Sequence, residues 1–252
     1  MVRGLEIFRD RFAGHQDNYV LIGGTACDLA FAAVGQEFRA TKDLDIVLVV
    51  ERMTPAFAET FWGFVKEGGY EHRRRGEDGE MQFYRFSDPA NTAFPIQLEL
   101  FSRKPDFLNP LAGGALTPIP VGDEGSSLSA ILLDKHYYAL IRQERVELEG
   151  VASLKPEALI PLKAAAWLDL TRRKEAGESV DSKNINKHKR DVFRLFTLLA
   201  AETRVPAAPR IQDDLRRFLA EMRKAPPDLG TLNIRGISAA EVLDALDLIY
   251  GL

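Results

Sequence analysis

Two aspartates, Asp43 and Asp45, stand at the head of the apolar run Ile46 to Val50. Side chains alternate faces along a strand, so in DLDIVLVV both carboxylates leave one side while Leu44, Ile46 and Leu48 leave the other. Two residues of strand rise separate the carboxylates by about 7 Å, so their oxygens can converge on one or two hard cations such as Mg²⁺. Upstream lies a second chemical stretch, Gly23-Gly24-Thr25, between the apolar run Tyr19 to Ile22 and the helix-like segment Ala26 to Val34. Glycines at such a turn let backbone N–H groups approach a phosphate, and the helix start adds a favourable dipole. Thr25 suits an N-cap and could donate its hydroxyl to a phosphate oxygen. Each stretch alone has a plainer account. Strand-initial aspartates cap turns or pair with neighbours such as Lys42, and Gly-Gly-Thr is also an ordinary capped turn.

Three further groups stand out. Glu99 is an acid within the apolar strand FPIQLELF, where Ile96, Leu98 and Leu100 share one face and Gln97 and Glu99 the other. Such placement needs a reason, either chemistry or a half-exposed sheet face. Lys163 interrupts the apolar helical run LIPLKAAAWL, where a lysine by itself is expected to snorkel to the surface. Asp191 lies among Lys187, His188, Lys189, Arg190 and Arg194, and a solvated basic face with a Lys187–Asp191 pair at i, i+4 would account for it. His188 has no ligand-spaced partners and does not suggest zinc.

These residues must be positioned by a regular scaffold. Leu5, Phe8 and Phe12 have helical spacing. Strand, glycine turn, helix, loop and the Asp43 strand follow. Thr54-Pro55 opens a helix as N-cap and N1, with Ala58, Phe61, Trp62 and Val65 as its stripe and Gly68-Gly69 as its end. Tyr70 to Arg75 and Met81 to Phe86 read as a hairpin, with Arg73 to Arg75 at a solvated tip. Residues 104–125 hold four prolines and four glycines and read as irregular. Ser127 to Leu133 suggests a strand and Lys135 to Arg142 a short helix, with Asp134 its N-cap and a fallback third acid. The charged stretch Gln143 to Gly150 is expected to divide the halves. Beyond it come helices over Pro156 to Lys174, with Pro161 a kink or second start, Asn184 to Ala200 behind Ser182 as cap, Ile211 to Met222, and Ser238 to Tyr250 behind the capping box SAAE.

Bulk properties narrow the class. With 252 residues, 46% of them hydrophobic and 28% charged, the chain can bury a substantial core. A net charge of −4 excludes a generic polyanion binder, so nucleic acid would have to be met by local basic patches. The single cysteine, Cys27, excludes an internal disulfide and reads as a buried thiol. Met1 to Phe12 is mixed and charged, and no run approaches the roughly 18 apolar residues of a membrane helix. The expectation is a cytoplasmic protein that does not cross a membrane.

The composite of IGGTA, an intervening helix, Arg39, Thr41 and KDLDI resembles the DNA polymerase β-like nucleotidyltransferases, and most closely the AbiEii/AbiGii toxin-like branch. The resemblance implies an α/β (α+β) core with a mixed sheet over residues 1–150, an α-helical domain over 151–252, and an active site in the cleft between them. It implies Mg²⁺, or Mn²⁺ in its place, held by Asp43, Asp45 and Glu99, with Glu99 as the third carboxylate from the neighbouring strand. Many members carry aspartate there. Gly23, Gly24 and Thr25 would cradle the nucleotide phosphates. Lys163, in an LK-x-x-A helix with Ala166 and followed by Arg172, would face the nucleotide along with Lys187. Asp191 matches the acid of a later motif and would position Lys163 or the base, although Arg194 stands where a second aspartate is commoner. The implied activity is transfer of a nucleoside monophosphate from a nucleoside triphosphate to a hydroxyl. The implied setting is a toxin–antitoxin or phage-defence system, with tRNA or protein as acceptor and an antitoxin as partner. Two other readings remain open at this point: a regulatory protein of the same fold that binds nucleotide without turnover, and a small-molecule nucleotidyltransferase, whose cleft would be acidic.

Overall fold

The structure is a computed structural model and describes residues 2–72, 83–101 and 134–252. Its described part is mixed α/β: a sheet with helices, then a helical array. The expected strands over Met81 and Gln82 and over Ser127 to Leu133, the irregular stretch 104–125 and Arg73 to Arg75 lie outside the described residues.

Helix α1 (Leu5–Arg11) buries Leu5 and Phe8. Strand β1 (Tyr19–Ile22) is wholly buried and runs directly into helix α2 (Gly23–Ala32). The expectation that Thr25 caps this helix is corrected here. Gly23 and Gly24 already lie within the helix, Ile22 is the N-cap, and no side chain caps it. Strand β2 (Asp43–Leu48) follows, then helix α3 (Pro55–Gly68). There Thr54 does cap, accepting from the Phe57 N–H at 3.2 Å, and Pro55 takes the first turn, where its missing N–H costs nothing. Strands β3 (Glu71–His72), β4 (Phe83–Ser87) and β5 (Gln97–Phe101) complete the sheet.

The strand order is β1-β2-β5-β4-β3. Among the described strands only β2 and β5 run parallel, with Asp43 opposite Gln97 and Asp45 opposite Glu99, while the other pairs are antiparallel. Leu44, Ile46, Leu48, Leu98 and Leu100 join one apolar core with Phe8, Phe12, Tyr19, Phe57, Phe61 and Phe64. Phe12 meets Phe57, Phe61 and Phe64 at ring-centroid distances of 5.7, 6.3 and 5.5 Å, within the range of favourable aromatic contacts. The alternation in DLDI and QLEL therefore sends leucines inward to aromatic side chains and sends the acids to the other face.

The charged stretch expected to divide the halves is half of a hairpin, and the division falls just beyond it, where Pro156 starts the next helix. Helix α4 (Lys135–Gln143) leads into β6 (Arg145–Leu148), which pairs antiparallel with β7 (Val151–Leu154). Glu149 and Gly150 between them have φ of 50° and 80°, the two positive values that a tight two-residue hairpin turn demands. Gln16 Nε2 donates to the Gly150 carbonyl at 3.2 Å, and Arg145 pairs with Asp17 at 2.7 Å. The hairpin thus belongs with the sheet. By internal contacts the chain forms two compact units, the first containing the sheet and Ile141–Lys155, the second containing the described residues up to Leu140 and Pro156–Leu252.

The second unit is helical: the start of α4, then α5 (Pro156–Glu175), α6 (Ser182–Phe196), α7 (Pro209–Lys224) and α8 (Ala239–Tyr250). Asp134 caps α4 as expected, accepting from the His136 N–H at 2.7 Å. Asp181, rather than Ser182, caps α6 through the Lys183 N–H at 2.8 Å. The capping box of α8 is complete: Ser238 Oγ accepts from the Glu241 N–H, and Glu241 accepts from the Ser238 N–H at 2.8 Å and from its hydroxyl at 2.7 Å. These bonds hold the exposed Glu241 carboxyl below the usual carboxylate range.

Pro161 does not restart α5, which runs unbroken through it. A proline leaves the carbonyl four residues back without its helical donor. That carbonyl belongs to Glu157, and the Tyr250 hydroxyl donates to it at 2.7 Å. Burial pushes the Tyr250 phenol well above its ordinary pKa, so it keeps its proton. Tyr250→Phe is expected to lower stability by about 1–2 kcal/mol, the cost of a buried acceptor left unpaired. Chemical denaturation would measure this, and a change below about 0.3 kcal/mol would refute the role given to the hydroxyl. Among the described residues, no helix is long and apolar enough to cross a membrane.

Candidate functional site

The first unit gathers most of the expected residues at one place. Asp45 lies opposite Ile22 in β1 and opposite Glu99 in β5, so the end of β1, the head of β2 and the head of β5 lie side by side. Residues directly opposite on neighbouring strands project to the same face, about 5 Å apart. Asp43 shares that face of β2, two residues back. Both aspartates are half-buried, and Glu99 is buried.

The glycine turn is closed onto this strand. Gly23 has φ +66°, the left-handed region that glycine enters without steric penalty. A Cβ added there would run into the Asp45 carboxylate, and one added at Gly24 would run into Thr41 Oγ1. Gly23 is required by its backbone conformation and by the Asp45 carboxylate, while a side chain at Gly24 would have to displace that of Thr41. The hydroxyl of Thr25, expected to meet a phosphate, instead donates to the Asp43 carbonyl at 2.7 Å, and the residue is fully buried. Its hydroxyl ties α2 to β2. What the turn presents at Asp45 is the backbone at the N-terminal end of a ten-residue helix, where the dipole favours negative charge.

Glu99 has partners that the sequence did not suggest. Arg85 lies opposite it in β4, and Nε and Nη2 of Arg85 approach Oε1 at 2.9 and 2.7 Å. Gln97 Nε2 donates to the same oxygen at 2.7 Å. Arg85 alternates with apolar neighbours in FYRFS, so a polar strand face was legible. That β4 lies beside β5, in the register that sets Arg85 against Glu99, was not.

The remaining expected residues lie in the second unit. Lys163 does not snorkel: its side chain is 5% exposed, and its Nζ sits 3.1 Å from Oδ2 of Asp191, itself 1% exposed. The surface role that periodicity suggested for this lysine is thereby corrected. The pair joins α5 to α6 in a region where an unpaired charge would be strongly disfavoured. Lys187 is half-buried on α6. Asp134, the fallback acid, caps α4 and lies 3.6 Å from Arg210 of α7. Cys27 is buried, as expected.

For a hard divalent ion, the chemistry of the donors fits at Asp43 and Asp45, two carboxylates on one strand face. Glu99 is turned to Arg85 and Gln97. No group of three or more His, Cys, Asp or Glu side chains that could hold a metal ion occurs among the described residues.

No family model matches the chain. No curated protein matches it either. Among solved structures it is similar to JHP933 from Helicobacter pylori, with 13% identity over 98% of this chain and 90% of that one and a TM-score of 0.34. A likeness at that level carries no argument.

Proposed function

We propose that the chain is a metal-dependent nucleotidyltransferase that moves a nucleoside monophosphate from a nucleoside triphosphate to a hydroxyl. One arrangement supports the reading. Asp43 and Asp45 share a face of β2, and Asp45 stands between the glycine turn at Gly23 and Glu99 of the neighbouring strand. A structural role alone does not call for three acids on one sheet face, because like charges that close repel.

In the reaction the acceptor oxygen forms a bond to the α-phosphorus. The bond from that phosphorus to the bridging oxygen breaks, pyrophosphate leaves with the electron pair, and the hydroxyl proton passes to water. Asp43 and Asp45 would hold Mg²⁺ or Mn²⁺, which supplies positive charge to the triphosphate when bound. The chain's own part is positional: β2 fixes the spacing of the two carboxylates, and the Thr25–Asp43 bond fixes the glycine turn against them. The resemblance carries the proposal further, to a toxin-like protein whose acceptor is a tRNA or a protein hydroxyl and whose partner is an antitoxin.

The test is transfer of label from each α-³²P triphosphate, with Mg²⁺, to total tRNA and to protein. Label is expected in one acceptor class, and EDTA is expected to abolish it. Retention of full transfer in EDTA would overturn the metal-dependent reading. The pairing of Glu99 with Arg85 favours a second reading, a protein that binds nucleotide without turnover. Metal-dependent triphosphate binding in calorimetry, with no label moved to any acceptor, would select it.

A further inference from the structure

Across β2, β5 and β4 the register sets Asp45, Glu99 and Arg85 in one transverse row. The row reads acid, acid, base. Glu99 is 7% exposed, and a carboxylate so enclosed beside a second acid needs positive charge nearby. Arg85 provides it with two nitrogens on one oxygen, and Gln97 adds a third donor to that same oxygen. The Arg85 side chain is itself 33% exposed, so its charge is only partly screened by solvent.

We propose that Arg85 is a positioning residue that competes with a divalent cation for Glu99 and thereby sets the metal affinity of the site. The inference rests on the reading of Asp43 and Asp45 as a metal site. A cation seated against Asp45 and Glu99 meets the guanidinium across a single carboxylate, and two positive charges facing one anion repel each other. Two guanidinium nitrogens and the Gln97 amide converge on Oε1 and hold that oxygen in place. With Arg85 in place, Asp43 and Asp45 carry the cation and Glu99 stays with its strand neighbour. Removing the guanidinium takes away the positive charge that faces the cation across Glu99, and the carboxylate is then able to turn to the cation.

The experiment is Mn²⁺ binding, read by the electron paramagnetic resonance signal of the free ion, on the full chain and its Arg85→Gln, Asp45→Asn, Glu99→Gln and Arg85→Gln/Glu99→Gln variants. Arg85→Gln is expected to bind Mn²⁺ at least about fivefold more tightly than wild type. The gain is expected to disappear when Glu99→Gln is present, since Arg85 acts through that carboxylate. Because Arg85→Gln loses a part-buried pair, its melting temperature is read with and without Mn²⁺. The metal-induced rise is expected to exceed that of wild type, by mass-action linkage. Unchanged or weaker binding in Arg85→Gln, with Asp45-dependent binding intact in wild type, would overturn this inference and leave the nucleotidyltransferase reading standing. If wild type and Asp45→Asn bind alike, or if neither wild type nor Arg85→Gln binds, the metal site itself falls and the inference with it.

Discussion

Asp45→Asn is expected to lose nucleotide transfer by about a thousandfold, equivalent to ~4 kcal/mol of barrier, while the protein stays folded. The substitution keeps the shape of the side chain and removes its charge. Asparagine preserves most contacts that a turn-capping or packing role would require, but it is a far poorer ligand for a hard cation. The stability change separates the two roles. Asp45 lies opposite Glu99 on the neighbouring strand and beside the start of α2, so neutralising it relieves a like-charge contact and gives up a favourable dipole, and the melting temperature is expected to change little. If Asp45 is a structural acid, the same change lowers stability and leaves transfer intact. Single-turnover label transfer beside thermal unfolding on one preparation decides between them. Transfer within tenfold of wild type would remove Asp45 from the chemistry.

The second large effect lies in the helical unit. Lys163→Met takes the ammonium at 3.1 Å away from Asp191, which is 1% exposed. Breaking one side of a buried pair typically costs about 3–5 kcal/mol, far more than the net worth of the intact pair, because the group left behind stays desolvated. Lys163→Met is therefore expected to lose stability on that scale, and Lys163→Met/Asp191→Leu to recover most of it. Denaturant titration of the four proteins of this cycle measures the coupling. A single-variant loss below about 1 kcal/mol would refute the account of the pair. The double variant also tests the role that the family resemblance gives Lys163. If the lysine neutralises phosphate, the refolded double variant loses transfer. If the pair only joins α5 to α6, transfer survives.

Much of the scaffold is legible in local chemistry. The alternation of DLDI and QLEL implies two strands with leucines on one face and acids on the other, and both hold, because strand periodicity is a property of the backbone alone. Thr54-Pro55 and SAAE mark helix starts that form as read, since a cap needs only partners within one turn. The stripes Leu215, Phe218, Leu219 and Val242, Leu246, Ile249 are buried as their spacing requires. The proximity of the glycine turn to the Asp43 strand was also within reach, because the two are joined by one helix and one loop.

Tertiary structure alone decided the rest. Thr25 caps nothing, because the helix already starts at Gly23, and its hydroxyl donates instead across to the Asp43 carbonyl. Pro161 sits in an unbroken helix, because the C-terminal Tyr250 returns to occupy the carbonyl that the proline leaves open. Lys163 is inside and not at the surface, because α6 brings to it Asp191, the partner that the family resemblance implied and periodicity did not. The stretch expected as a divide is a hairpin, because a two-residue turn with positive φ at Glu149 and Gly150 lets the chain fold back on itself. Glu99 is held by Arg85 because the sheet order and register set β4 against β5. In each case the deciding partner comes from another element of the chain. Periodicity along a chain says which face a side chain takes, and only the assembled fold says what waits on that face.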